Sequence, residues 1–368
     1  MMLKEININN FQFFVLVFIF TIGNTIINAP NLIVAQAKQD AWISAIFALA
    51  FGICFVSIYC KLAQKFPKQT IVQFIETILG KVIGKIFSFL LIIYFFIIAS
   101  LMLRQLGTFV VTYTLPETPR IAINVLFIVI LMMGTYLGIE TLARSAEIFF
   151  PLILFFLLFL FIFLIPEIDI DNLKPVYEDG FKPIAKGTLN FISIPYLQLI
   201  VFLMITPFSN DKGNWKKNFL LGVFIGGLFL ICSILYSILV LGVVLTEFKQ
   251  YTTYFLAQKI SLLDIIERLE VILGILWFIT IFYKTSILFY ATKVGFVQIF
   301  NLNETRIFLF PLGFLLLIIT QFITPNVVYF DTFFKEIIPF YTLTFGFFLP
   351  ILLLLVSFFR KNLLGAKS

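Results

Sequence analysis

The chain has 368 residues, 61% hydrophobic and 12% charged, and its 26 Lys and Arg exceed its 19 Asp and Glu for a net charge of +7. A soluble domain carries roughly 25% charged residues, so this composition excludes an ordinary soluble fold, and repeated apolar runs of about 20 residues point to an all-α polytopic membrane protein. Histidine is absent, which removes His acid–base catalysis, His metal ligation and His-based pH sensing, and the three cysteines show neither a disulfide framework nor metal-ligand spacing.

Hydropathy gives ten spans: 11–35, 41–61, 86–114, 120–138, 146–165, 184–207, 217–244, 269–297, 306–323 and 336–359. The first lacks a small-residue cleavage site and reads as a span, not a removed leader. With the N-terminus inside, cytoplasmic segments hold 15 Lys/Arg against nine outside, and the outer segments hold 13 of the 19 carboxylates. The positive-inside rule then puts both termini in the cytoplasm. This asymmetry accounts for the net charge without a nucleic-acid partner. The chain reads as one membrane domain over 1–368: a first set of five spans over about 11–165, an acidic external loop at 166–183, and a second set over about 184–360.

The first span carries Thr21-Ile22-Gly23-Asn24-Thr25-Ile26-Ile27-Asn28-Ala29-Pro30. Gly and Pro weaken a helix, and Asn and Thr can bond the backbone groups that a break sets free. In hydrocarbon, irregular backbone survives only inside protein or along a cavity. The stretch is therefore either a helix unwound at mid-membrane or a Pro-kinked helix packed on its neighbours. Between spans two and three, Ile71, Phe74, Ile75, Ile78 and Leu79 fall at helical spacing, which predicts a short cytoplasmic helix along the membrane surface. Span five is apolar all round near Pro151 and reads as scaffold.

Span six repeats the anomaly with Gly187, Asn190, Phe191, Ser193 and Pro195. It opens the second set of five as span one opens the first, and an odd number of spans inverts the second set. Paired interruptions at corresponding positions are the sequence pointer to a transporter binding site. An external helix is expected over 254–269, and span eight carries Tyr283, Lys284, Thr285 and Ser286.

Arg104 and Lys284 are the two bases far from any span end, and no Asp or Glu lies at comparable depth. A midplane charge costs at least about 2.5 kcal/mol and marks a pair or a pathway. These two cations are capped by carbonyls at the helix breaks, or face water, or hold an anionic group of a ligand. A mid-membrane carboxylate relay is missing, and a sodium site beside Lys284 would suffer like-charge repulsion.

Gly23-Asn24 through Asn28-Ala29-Pro30, Leu103-Arg104-Gln105, Leu115-Pro116-Glu117-Thr118-Pro119, the acidic external loop and the Pro-bearing sixth span resemble, in order and spacing, the spore germination permease family. Its members are the B subunits of Ger-type nutrient germinant receptors, within the amino acid–polyamine–organocation superfamily. The resemblance covers essentially the whole chain. It implies a LeuT-like five-plus-five inverted repeat with helices 1 and 6 broken, a place in the spore inner membrane, and partnership with an A subunit and a lipoprotein C subunit. It implies no catalytic motif and no cofactor. The superfamily site lies between the two broken helices. Carried over, exposed backbone near Gly23, Asn24 and Thr25 would receive the carboxylate of a small nutrient, most simply an amino acid, with Asn28 in the same site. Asn190, Phe191, Ser193 and Pro195 would receive its ammonium, with Arg104, Tyr283 and Lys284 as wall or gate. A transporter of the same fold, working by alternating access, is the alternative.

Overall fold

The computed structural model describes residues 7–209, 214–260, 269–302, 306–324 and 326–364. The described residues are almost entirely helical; a single bridge pairs Ile8 with Ser209. Among the described residues, eight helical stretches are long and apolar enough to cross a membrane, and the shorter apolar helices Asn10–Ile22 and Leu309–Phe322 complete the ten segments expected from hydropathy.

The first span is two helices, α1 (Asn10–Ile22) and α2 (Thr25–Ala37). A capping box at Asn9 and Gln12 starts α1. The break is shorter than the sequence suggests. Only 23–24 leave the helix, and Asn28, Ala29 and Pro30 lie inside α2. Pro30 has no N–H to offer the carbonyl of Ile26, four residues back. That carbonyl instead accepts the Thr253 hydroxyl at 2.7 Å and the Ser233 hydroxyl at 3.3 Å. Two distant side chains thus replace the missing backbone bond and keep α2 helical.

Span two is α3 (Ala41–Lys65), and α4 (Ile71–Leu79) follows. The expected short helix is present, but its apolar residues Ile71, Phe74, Ile75 and Ile78 are buried in the protein, against the following helix and the last. They face the bundle, so the helix is not laid on a lipid surface. Next come α5 (Lys81–Tyr113), α6 (Arg120–Leu137) and α7 (Ile139–Phe163). α6 and α7 present apolar residues outward, Leu126 68% and Ile148 76% exposed, as an outer ring facing lipid does.

The sixth span is α8 (Phe181–Ile192), an irregular turn at 193–196, and a 3-10 segment Leu197–Met204. α9 (Trp215–Phe248) bends at Gly242, where φ is 74°. α10 (Thr252–Ala257) covers the start of the external helix expected over 254–269, and 258–260 are not helical; residues 261–268 of that expectation lie outside the described residues. α11 (Leu269–Phe300) and α12 (Leu309–Phe322) follow. Span ten is α13 (Val327–Thr332), α14 (Ile338–Leu343) and α15 (Leu349–Leu364), joined by π-helical turns at Phe333–Ile337 and Thr344–Phe348. The second π turn lets Gly346 approach the 3-10 segment so closely that an added methyl would lie 2.7 Å from Leu197 Cβ.

α1 and α2 run through the centre. α9 packs along both, α8 lies against α2, and α5 and α11 pack together beside them. The acidic loop is tied down. Asp40 accepts the Tyr177 N–H at 3.0 Å, Gln39 donates to the Pro175 carbonyl at 2.8 Å, and Asn172 donates to the Leu239 carbonyl at 3.0 Å. Lys38 pairs with Glu247 at 2.5 Å, and Asn31 donates to the Glu247 carbonyl.

Candidate functional site at the two helix breaks

Each break leaves a backbone carbonyl without its helical donor, and α11 answers both. Thr280 donates its hydroxyl to the Gly23 carbonyl at 3.1 Å. One turn later Lys284 extends its ammonium to within 3.5 Å of the Ile194 carbonyl. Residues four apart share a helix face, so a single stripe on α11 caps both interruptions. Lys284 lies midway along α11 and is fully buried. Its ammonium also sits over the Phe20 ring, 4.9 Å from the centroid, a favourable cation–π distance.

The two breaks are coupled through this side chain. A methyl at Gly23 would lie 2.6 Å from Lys284 Cδ and 3.0 Å from the Phe20 carbonyl. Close approach therefore favours glycine at 23: the Lys284 stem crosses the first break on its way to the second. At the second break, Ser193 donates to the Asn190 carbonyl at 2.6 Å. Tyr196 N–H reaches the Ile192 carbonyl at 3.3 Å, and the Leu199 N–H to the Tyr196 carbonyl at 3.1 Å begins the 3-10 segment. Phe191 is buried with its ring against Tyr196, Pro195 is buried, and the Asn190 side chain is half-exposed.

From α5, Gln105 accepts the Asn24 side-chain N–H at 3.3 Å. Around this contact, Asn24 Oδ1, Thr25 Oγ1, Asn28 Oδ1, Gln105 Nε2 and Trp277 Nε1 are buried without a protein partner. Each such group costs about 1–3 kcal/mol; Asn124, Gln198 and others elsewhere in the bundle are in the same position, and those named here are set apart by lying beside the first break. On the acidic-loop side Phe109 meets Trp277 at 4.8 Å, Tyr251 at 5.0 Å and Tyr254 at 5.3 Å. On the side of the α1 N-terminus, Phe202 packs on Phe13 at 5.7 Å and Phe20 at 5.4 Å. The break residues are buried between these two aromatic layers.

Of the residues singled out in the sequence, Gly23, Asn24, Ser193, Pro195 and Lys284 come together at the breaks. Thr25 and Asn28 line the first turn of α2. Arg104 does not join them: it donates to the Thr324 carbonyl just past α12, at 3.0 Å. Tyr283, though next to Lys284, points elsewhere and donates to Ser145 of α7 at 3.0 Å. Gln105, Phe109, Trp277 and Thr280 were missed. Thr280 was findable, four residues before Lys284 on one helix face. Lys293, near the C-terminal end of α11, is buried and donates to the Thr135 carbonyl at 3.0 Å.

The fold resembles solved transporters. Mhp1, a nucleobase-cation-symport-1 family transporter in a closed conformation with bromovinylhydantoin bound, aligns with a TM-score of 0.67 at 10% identity over 90% of this chain and 75% of its own. MhsT, in complex with L-phenylalanine, aligns with a TM-score of 0.64 at 14% identity over 94% of this chain and 97% of its own. The LeuT-like fold that the family resemblance implies is thereby shown, and these structural neighbours are transporters, not enzymes. Spore germination protein KB of Bacillus subtilis (strain 168) is 30% identical over 360 residues, 95% of this chain and 94% of that protein. The family described as "Spore germination protein" matches residues 7–328. The chain is a multi-pass membrane protein and belongs to the spore germination permease family.

Proposed function

We propose that the chain is the permease-like B subunit of a nutrient germinant receptor, and that a small polar nutrient binds between the two helix breaks. The observation that carries this is the cluster of buried, unpartnered polar atoms at Asn24, Thr25, Asn28, Gln105 and Trp277, set beside two capped break carbonyls. A polar ligand would satisfy these atoms, and the first-turn N–H groups of α2 favour an anionic or oxygen-bearing end. In this reading residues 11–165 and 184–360 are inverted repeats, each led by its broken helix. The nutrient acts by changing how α1, α8 and α11 meet. The signal passes to an A subunit and a lipoprotein C subunit in the spore inner membrane, with both termini of this chain cytoplasmic. An amino acid is the nutrient class expected from the resemblance.

The test is germination dose–response in spores carrying Gly23→Ala or Ser193→Val, with immunoblots of the spore membrane. Both changes should move the response to higher nutrient at unchanged protein level; wild-type curves in both would remove the site from the breaks. A second reading, transport by alternating access, is favoured by the transporter neighbours. Uptake of labelled nutrient into vesicles containing the purified chain separates the two.

A further inference from the structure

The Lys284 ammonium is sparsely surrounded for a buried charge. It has three N–H donors, one carbonyl at 3.5 Å and the face of Phe20. The other buried charged side chains among the described residues are Arg104, Lys293 and Asp40. Two are cations, and Asp40 is engaged with the Tyr177 N–H. None of the ion pairs among the described residues includes Lys284. A buried charge left this far from full coordination favours any group that brings acceptor oxygens to it.

The seat it occupies matters for the ligand. A carbonyl freed at the second break is where an amino acid would place its ammonium, and there the Ile194 carbonyl already faces the ammonium of Lys284. A ligand ammonium beside it would meet a like charge in a low-dielectric interior, and Asp40, the one buried carboxylate among the described residues, is engaged with the Tyr177 N–H instead. Resting on the reading of the breaks as the binding site, we propose that Lys284 stands in for the ammonium of a bound amino acid. The nutrient of this site is then an amine-free molecule that presents oxygens to Lys284, a polyol or a carboxylate. The unpartnered groups agree with this chemistry. Asn24 Oδ1 and Asn28 Oδ1 can accept from hydroxyls, while Gln105 Nε2 and Trp277 Nε1 can donate to hydroxyl or carboxylate oxygens. Trp277 and Phe109 add apolar ring surface at the same place.

The test uses the purified full chain and its thermal midpoint. Lys284→Ala removes the ammonium and the stem beyond Cβ, and n-propylammonium supplies both. The proposal expects Lys284→Ala to be destabilised and then stabilised saturably by n-propylammonium, with no such shift in the wild type. Lys284→Met keeps the stem volume and removes the charge. It should not respond to n-propylammonium, whatever its own midpoint, since relieving a buried charge offsets the lost contact. Should Lys284→Ala fail to fold, the rescue is read as recovery of folded chain when n-propylammonium is present during purification, and no recovery overturns the ammonium seat. A folded Lys284→Ala that shows no rescue does the same.

For the ligand class, the common amino acids are added singly to the wild type beside L-lactate, the amine-free counterpart of L-alanine, and myo-inositol. No amino acid should shift the midpoint. A shift by L-lactate points to a carboxylate and one by myo-inositol to a polyol, in either case lost in Asn24→Ala and in Lys284→Met. A saturable shift by an amino acid that Asn24→Ala abolishes overturns the ligand class. If Asn24→Ala leaves every nutrient shift intact while n-propylammonium still rescues Lys284→Ala, the fault lies with the site between the breaks and not with the seat.

Discussion

Gly23→Ala is the substitution whose sign separates a broken helix from a continuous one. In an ordinary helix interior alanine is better than glycine by about 1 kcal/mol. At position 23 the added methyl falls 2.6 Å from Lys284 Cδ and 3.0 Å from the Phe20 carbonyl. The Phe20 carbonyl is backbone and would have to give by a few tenths of an ångström. The Lys284 stem is held at its far end by the Ile194 carbonyl and the Phe20 ring. Overpacking of this kind costs about 1–3 kcal/mol, so the expected change is destabilising. Thermal unfolding of the purified chain in detergent reads the sign. Placing Gly23→Ala in a Lys284→Ala background removes the closer contact and leaves the 3.0 Å one, so part of the cost should disappear. Residues in contact couple by about 0.5–3 kcal/mol in such cycles. A neutral or stabilising Gly23→Ala, or a cost unchanged when Lys284 is truncated, would refute the crossing of the two breaks by this side chain.

Thr253→Val withdraws the closer of two donors from the Ile26 carbonyl and should cost about 1 kcal/mol. Pro30→Ala restores the backbone donor, so the same change should cost less in that background; equal costs would mean that the carbonyl is not what Thr253 serves. Nutrient binding should not need sodium, because the Lys284 ammonium already occupies the space between the breaks; binding measured in sodium-free and sodium buffers would expose a strict requirement. Phe155, 59% exposed on α7, is the control site, and Phe155→Leu should leave both midpoint and nutrient response unchanged. Ile153 serves less well, being 1% exposed and packed in the core.

The spans were legible because burial in lipid leaves a run of apolar residues that needs no partner to be recognised. The break at Gly23-Asn24 was legible for a related reason: two poor helix residues mid-span have no use in a uniform helix. Pro30 misled by the same logic. The local rule assigns a proline to a break, and only the distant Thr253 and Ser233 hydroxyls, supplied by α9 and α10, keep α2 intact. Carbonyl capping of Lys284 was among the alternatives in the sequence, but its partner was fixed by tertiary packing. Arg104 was grouped with it on depth alone, and depth carries no direction: its carbonyl lies past α12, away from the breaks. Tyr283 shows the same limit at one residue's spacing, since adjacent residues on a helix point about 100° apart. Gln105 and Trp277 gave no sequence signal because a lone polar or aromatic residue in a span is ordinary; their unpartnered buried atoms become visible only in three dimensions.

The central claim is that the nutrient binds between the breaks. Its most direct test is equilibrium binding of the nutrient to the purified chain, compared with Asn24→Ala and Gln105→Ala. These two side chains meet at 3.3 Å and each carries a buried polar atom without a protein partner. If the nutrient satisfies those atoms, each truncation should weaken binding by about 1–3 kcal/mol, roughly 5- to 150-fold in dissociation constant. Wild-type affinity in both variants, with the chain folded, would contradict it.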